Sequence, residues 1–535
     1  MKKKRAHRKV SKFILILVSS LIFLIFSTHF YLKVNSNKIL KNYLIKLESK
    51  SGGKYSISSG ACDIDFIGSS ITAKNFQIEE KKKVNEVKDI PSGSGPVIKV
   101  SFINIKGVSL IKLVLFRTLS GKSVYISNGE INLRSKKKNG KVIRDKPGYL
   151  KKILFSKFYA DNIKLKLFAD NMSIPVLNFP STNLSAERIN IQTGKKEKTT
   201  NTIRFGNINI EAKECSLFFP KRSYRADIST LIVKNSSSIS LSGIRYNRFF
   251  LNASPAMEKN LYSLTMGEIN FRNISLNDLI NKGKVHMEHI LISDPVYKIN
   301  SNRNIVIKKR RKEKKFPQQI LRELPFKIKA GLVEIRNGLL IYTEKAPGQK
   351  IGESIRFTGI NINITNITNF ENTMKSGIES RINISAKLMG KSLLKGKIII
   401  PVNSKRDQFF FSGTLSKTDP KIFNRFLKRN SRIKINSGLV KELTFSANAD
   451  RERSQGTMKL IYKDLKVSLL RKNNFLKKRK LYTFLANTIL QKSNPSGRKK
   501  AYRKGKIKFV RVQKRSIFNF MWKSILSGIK STVGL

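Results

Sequence analysis

The chain has 535 residues, and its 107 Lys and Arg against 34 Asp and Glu give a formal net charge of +73. Such a charge attracts polyanions such as nucleic acid, anionic lipid or lipopolysaccharide phosphates. Lys, Ile and Asn are abundant together, so an ordinary solvated surface rich in Lys also explains it. The chain has only two cysteines, Cys62 and Cys215, which excludes a disulfide-rich scaffold and leaves one long-range bridge or two free thiols as alternatives.

An apolar run at residues 13–32 follows a basic tail at residues 1–12. Its twenty residues carry no charged side chain apart from His29 and match the roughly 30 Å of a bilayer core at about 1.5 Å per residue. A cleaved signal peptide is the alternative, but no A-x-A-like cleavage site follows the run. We therefore predict a single-pass transmembrane helix at 13–32, with the N-terminus in the cytoplasm because the basic residues precede it.

Beyond this run the apolar spacing changes along the chain. Residues 33–50 have helical spacing, whereas from residue 51 onward the apolar period is 2, which predicts strands with one apolar face. Pairs such as Asn128-Gly129, Asn337-Gly338 and Ser437-Gly438 predict turns between strands. The predicted organisation is a first β region at 51–307, a basic linker at 308–325, a second β region at 326–470, and a basic, helical C-terminal region at 471–535.

The chain also repeats itself. The stretch 124–131 resembles 333–340, and 203–210 resembles 355–362, at different separations. We interpret these as divergent β units joined into one sheet. The predicted fold class is mainly β: a long curved, mostly antiparallel, groove-like sheet with an N-terminal transmembrane helix and short helices at both ends.

The last segment has the pattern of an amphipathic helix that begins after Ser516. Its apolar stripe consists of Phe518, Met521, Trp522, Ile525, Leu526, Ile529 and Val533. A basic amphipathic helix can lie in a membrane interface or dock on a partner. It can equally plug the end of the sheet and cover its last edge, which is the alternative that we favour.

No catalytic constellation is recognisable in the sequence. His286 and His289 lie in a strand-like run, where a spacing of three places their rings on opposite faces, so a shared metal ion is not expected. No nucleophile elbow, phosphate-binding loop or dinucleotide motif occurs. We predict no catalytic residue, no metal and no cofactor, and a protein that is not an enzyme.

A long sheet with one apolar face must cover that face with another layer or hold something apolar. A closed sandwich and an open trough for acyl chains remain alternatives at this point. For the trough, the residues that we expect to line the groove are Ile208, Ile210, Ile360, Ile362 and Ile364.

Several stretches resemble the AsmA-like family of Gram-negative inner-membrane proteins, relatives of TamB and YhdP. The order of a basic tail, one anchor and a short helix is similar. The more specific likeness is C-terminal, where the stretches 411–415, 433–439 and 456–465 end in a Tyr462-Lys-Asp464-Leu465 strand. The chain is more basic than members of that family are expected to be.

This resemblance implies a protein of the cell envelope, anchored in the bacterial inner membrane with most of its chain in the periplasm. It further implies binding or transfer of phospholipid or another anionic lipid along a β groove. The alternative is a scaffold or assembly factor for envelope proteins, and nucleic acid is not expected as a partner because the basic body would lie outside the cytoplasm.

Overall fold

The structure of the protein is a computed structural model that is mainly β, with 60% strand in long, mostly antiparallel ladders and few helices. This confirms the predicted fold class at that level. The residues that the structure describes are 2–50, 53–81, 97–134, 150–169, 172, 174–192, 202–220, 223–249, 259–305, 313–371, 377–404, 406–471, 479, 487, 489–495 and 501–534.

The chain divides into two compact units. Unit 1 comprises Met1–Pro220 and Ser229–Ser236, and unit 2 comprises Lys221–Ile228 and Ser237–Leu535. The division therefore lies inside the predicted first β region and not at the basic linker. The end of that linker belongs to the core of unit 2, where the side chain of Phe316 is fully buried.

Helix α1 (Lys2–Lys50) is one element over the tail, the predicted transmembrane segment and the predicted short helix. Among the described residues, no helix is both long and apolar enough to cross a membrane. The second half of α1 packs on unit 1, where Leu44 is buried and the hydroxyl of Ser36 donates to the carbonyl of Cys62 over 2.8 Å. Cys62 and Cys215 are both buried free thiols.

Unit 1 is a ladder of strands with one short helix, α2 (Leu110–Phe116). Its strands are β1 (Tyr55–Ser58), β2 (Cys62–Asp65), β3 (Ser70–Glu80), β4 (Val97–Lys106), β5 (Thr118–Arg134), β6 (Lys152–Phe168), β7 (Pro175–Phe179), β8 (Ser181–Gln192), β9 (Thr202–Arg204) and β10 (Ile208–Phe219). The pairs run from β1 and β2 through β3, β4, β5 and β6 to β7 and β8, which both pair with β10. Only the β5–β6 pair is parallel among the described pairs of this unit.

Strand β11 (Tyr224–Lys234) is shared between the units, and the later strands belong to unit 2. They are β12 (Ser238–Arg248), β13 (Asn260–Arg272), β14 (Lys284–Ser293), β15 (Val296–Asn302), β16 (Lys327–Lys345), β17 (Glu353–Thr368), β18 (Glu379–Leu388), β19 (Ser392–Pro401), β20 (Phe409–Leu415), β21 (Ile433–Ala449), β22 (Arg453–Leu469) and β23 (Gly505–Val510). Its helices are α3 (Leu276–Lys282), α4 (Pro317–Arg322), α5 (Asn424–Asn430) and α6 (Ile517–Val533).

The ladder of unit 2 runs in chain order except at one place. Strand β13 pairs with both β14 and β15, and both of these pair in parallel with β16. From β16 to β23 each strand pairs antiparallel with the next. Consecutive antiparallel strands need only short connections, so the local sequence specifies this half of the unit well.

Left-handed residues lie inside several strands. Asn128 (φ 52°) lies within β5, Asn337 (φ 53°) within β16 and Gly438 (φ 140°) within β21. The turns that the sequence predicts at these three positions are therefore wrong. Asn and Gly adopt positive φ at low cost, which suits a β-bulge as well as a hairpin turn.

The bulge in β16 explains why its alternation changes phase. Val333 and Ile335 precede Asn337 at odd numbers, whereas Leu340 and Tyr342 follow it at even numbers. In a regular strand, odd-numbered and even-numbered residues lie on opposite faces, so the two pairs would project to opposite sides of the sheet. The extra residue at the bulge keeps all four on the same face of the sheet.

Candidate functional site, an apolar face of the sheet

A row of apolar residues crosses unit 2 from strand to strand. Ile364 in β17 is paired with Val333 in β16 and with Ile382 in β18. Because residues in register across a sheet project to the same face, these side chains form one continuous row. The first row, from β12 to β23, consists of Ile239, Phe271, Ile290, Val333, Ile364, Ile382, Ile398, Phe411, Ala447, Gly456 and Ile507.

A second row runs beside the first, two residues along each strand. Ile362 is paired in it with Ile335 and Ile384. The second row consists of Leu241, Ile269, Ile292, Ile335, Ile362, Ile384, Gly396, Gly413, Phe445, Met458 and Gly505. The predicted residues Ile362 and Ile364 thus lie on one face, whereas Asn361 and Asn363 on the other face are exposed.

Burial along the two rows divides unit 2 into an uncovered and a covered part. From β12 to β18 the row residues are only half-buried, apart from Val333, which is buried. From β19 onward most of them are buried, as in Phe411 and Met458, each 1% exposed. We define the uncovered apolar face as the part of the two rows from β12 to β18.

Helix α6 covers the far end of the rows. Phe520 in α6 is 1% exposed, and its ring lies 6.3 Å from the ring of Phe316 and 6.3 Å from that of Phe409. The next turns face the sheet with small side chains, and the Ser524 hydroxyl lies 2.7 Å from that of Ser454. A β-carbon at Gly528 would lie 2.8 Å from Ile507, so helix and sheet approach closely here.

Helix α6 also covers the edge of the last strand. The backbone N–H groups of Lys506 and Lys508 donate to the hydroxyls of Ser531 and Ser527 over 3.0 and 3.2 Å. These donors of β23 would otherwise be open to another chain. The apolar pattern of the sequence does not identify this sheet-facing side, because Ser524, Gly528 and Thr532 are small residues and not large apolar ones. Their regular spacing of four, which places small residues along one side of a helix, is the signal that could have identified it.

The predicted stripe of this helix is divided between two environments. Met521, Ile525 and Ile529 are half-buried and pack against the core, whereas Phe518 and Trp522 are exposed.

Beyond the bulge in β16 the sheet carries aromatic side chains, and there Tyr342 packs against Phe426 of α5, with the ring centroids 6.4 Å apart. Tyr342 donates its hydroxyl to Glu344 over 2.6 Å, and burial, followed by this hydrogen bond, raises the pKa of Tyr342 to about 12. The rings of Tyr262 and Tyr297 are stacked 6.4 Å apart on the neighbouring strands. At this end the sheet is therefore aromatic, with polar hydroxyl tips, and is partly covered by α5.

Unit 1 has two apolar rows of its own, and the described pairs trace them as far as the other two predicted residues. Ile208 is paired with Ala186, and Ile210 with Leu184. The row traced to Ile208 consists of Ile64, Ile71, Ile105, Val124, Phe158, Ala186 and Ile208. The row traced to Ile210 consists of Cys62, Ala73, Ile103, Ile126, Ala160, Leu184 and Ile210. Ile360 lies at the bulge of unit 2 opposite Gly338 and is half-buried.

The two histidines on β14 have separate surroundings. The ring of His286 packs on that of Phe370, with the centroids 4.9 Å apart. His289 Nε2 lies 3.3 Å from Glu334, whose pKa is lowered chiefly by its hydrogen bond from Arg336. Within the described ranges, no group of three metal-ligating side chains comes together.

The chain is therefore a mainly β protein in which the sheet of unit 2 presents a long apolar surface. No family model matches the chain, and no curated protein matches it.

Proposed function

We propose that this is a membrane-anchored protein of the bacterial cell envelope that binds or transfers phospholipids along the uncovered apolar face. The observation that carries the proposal is the pair of rows at Ile362 and Ile364, which are continuous over β12 to β18 and half-buried except at Val333. An acyl chain laid on them would gain about 0.8 kcal/mol for each methylene removed from water.

The polar character of the opposite side of the same strands is consistent with a single sheet that holds lipid on its apolar side. Asn363 is in register with Asn383 and Lys397, and all three side chains are exposed. A polar, basic outer side keeps the sheet wetted while the apolar side holds acyl chains.

The proposal also assigns residues 13–32 to the inner membrane and most of the chain to the periplasm. Its support is the apolar run behind a basic tail and the resemblance to the AsmA-like family. In this arrangement the protein acts in envelope biogenesis without catalysis.

Native mass spectrometry of gently extracted protein tests the proposal. We expect co-purifying phospholipid, reduced several-fold in Ile362→Ser and unchanged in Asn363→Ser, the matched control on the adjacent outward position. A stoichiometric protein partner without lipid would instead support the scaffold alternative, and an equal lipid content in both variants would remove the role of this face.

A further inference from the structure

The C-terminal part of the chain differs from the rest in its charge. After Asp464 the remaining 71 residues contain 20 Lys and Arg and no acidic residue, although the whole chain has 34 Asp and Glu. This part includes β23 and α6, both in unit 2. Its positive charge is therefore not compensated by neighbouring acids in sequence and favours an anionic partner.

Helix α6 has more apolar surface than its contact with the sheet uses. Phe520, Ser524 and Gly528 face the sheet and are buried. Phe518 and Trp522, four residues apart on another side of the helix, are 78% and 53% exposed. A helix that only plugs the sheet needs one apolar side, so the second side remains to be explained.

Two further apolar side chains precede the helix. Val510 and Val512 are 72% and 51% exposed, and a turn closed by the Arg515 N–H to the Val512 carbonyl, over 2.9 Å, connects them to α6. We call Val510, Val512, Phe518 and Trp522 the terminal patch. In the sequence, the exposed cations Lys514 and Arg515 lie between Val512 and Phe518, and the exposed Lys523 follows Trp522.

We propose that the terminal patch docks on the surface of a bilayer that contains anionic lipids. Trp and Phe are the side chains that enter the interfacial layer of a membrane, and adjacent Lys and Arg side chains pair with its phosphates. Val510 and Val512 have no ring on which a base could stack, which favours a bilayer over a single-stranded nucleic acid. The patch shares no residue with the uncovered apolar face and does not rest on the function proposed for that face.

Trp522 is the single tryptophan of the chain, so the emission of the full-length protein reports this position alone. The full chain is kept in phosphatidylcholine nanodiscs and mixed with vesicles whose acyl chains are brominated. With phosphatidylglycerol vesicles we expect a blue shift and at least a twofold quenching of Trp522 emission. With phosphatidylcholine vesicles we expect neither.

Two charge variants distinguish docking from general attraction. Lys514→Glu/Arg515→Glu should lose the quenching, whereas Lys504→Glu/Lys506→Glu, the same charge change at the far end of β23, should keep most of it. Far-UV circular dichroism verifies that both variants remain folded. Equal quenching by neutral vesicles, unchanged quenching in Lys514→Glu/Arg515→Glu, or an equal shift with single-stranded RNA would each overturn the proposal, the last in favour of nucleic acid. None of these outcomes bears on the lipid co-purification test with Ile362→Ser, so the two proposals can fail separately.

Discussion

The side-chain amide of Asn337 in β16 donates over 2.7 Å to the carboxylate of Asp294, which lies between β14 and β15, and both residues have positive φ. Unit 1 contains the same arrangement, in which Asn162 donates to Asn128 over 2.8 Å. In both units the backbone N–H of the donor asparagine is bonded in turn to an asparagine on the next strand. The same two hydrogen bonds therefore connect corresponding strands in both units, which indicates an internal duplication.

The surrounding elements support the duplication. Helices α2 and α3 each have seven residues, a serine N-cap and a left-handed C-cap. The N-cap Ser109 and the C-cap Arg117 lie 166 residues before Ser275 and Gly283. Asn128 lies the same distance before Asp294. Each unit therefore contains a strand, a short helix and a parallel strand pair in the same order.

Replacement of Asn337 by Ala should destabilise unit 2 by about 1–2 kcal/mol, because it removes a hydrogen bond and puts Ala, which tolerates positive φ less well than Asn, at a φ of 53°. Urea unfolding followed by Trp522 emission measures this. Asn363→Ala, at an exposed position of the neighbouring strand, should change stability by less than about 0.5 kcal/mol. Equal stability of the two variants would contradict a structural role for the Asn337–Asp294 contact.

The sequence predicted the faces of the strands better than their ends. The period of two at Ile360, Ile362 and Ile364 does not depend on neighbouring strands, so it was sufficient to place these residues on one face. An Asn-Gly pair favours positive φ in a turn and in a bulge alike, and only the partner strand distinguishes them. For that reason Asn128 and Asn337 were assigned to turns.

The repeat in the sequence and the hydrogen bonds in the structure match different residues. The sequence aligned Asn128 with Asn337, whereas the structure matches Asn128 with Asp294 and Asn337 with Asn162. Asp294 is followed by Pro295, whereas Asn128 is followed by Gly129, so a comparison of the two sequences does not match these positions. Hydrogen bonds across strands carry this information, and a single sequence does not show them.

Phe316→Ala should cost about 3–5 kcal/mol, the range for a fully buried aromatic side chain. The Phe316 ring contacts Phe409 at 5.5 Å, and the guanidinium of Arg511 lies 3.9 Å from its centre. Phe326→Ala, which removes a ring that is 37% exposed, is the control and should cost about 1 kcal/mol or less. If Phe316→Ala were as stable as this control, the linker would not be part of the unit 2 core.

Gly528→Ile should destabilise the contact of α6 with the sheet by about 1–3 kcal/mol, because the added side chain has no space against Ile507 and Met458. Limited proteolysis of the full chain should then cut within α6 earlier than in the wild-type protein. Lys523→Ile adds the same side chain at an exposed position and should leave the cleavage rate unchanged. Protection of Gly528→Ile equal to that of the wild type would refute the close packing.

Cys215 should be unreactive in the folded protein. Burial raises the pKa of its thiol from 9.0 to about 11, and only the thiolate is nucleophilic. Iodoacetamide at pH 8 should therefore modify Cys215 only after unfolding in urea, as counted by peptide mass spectrometry. Since the folded state holds this proton more tightly, its contribution to stability is present below pH 9 and is lost as the pH rises through about 11. Labelling at the rate of a free thiol would contradict the burial.

The most direct test of the central claim is photocrosslinking in cells at two adjacent positions of β17. A photoreactive amino acid at Ile362 lies on the uncovered apolar face, and the same residue at Asn363 lies on the exposed opposite side. We predict phospholipid adducts at position 362 that exceed those at position 363 by at least tenfold, with protein abundance equal in both. Folded protein that yields no lipid adduct at position 362, or equal adducts at both positions, would contradict it.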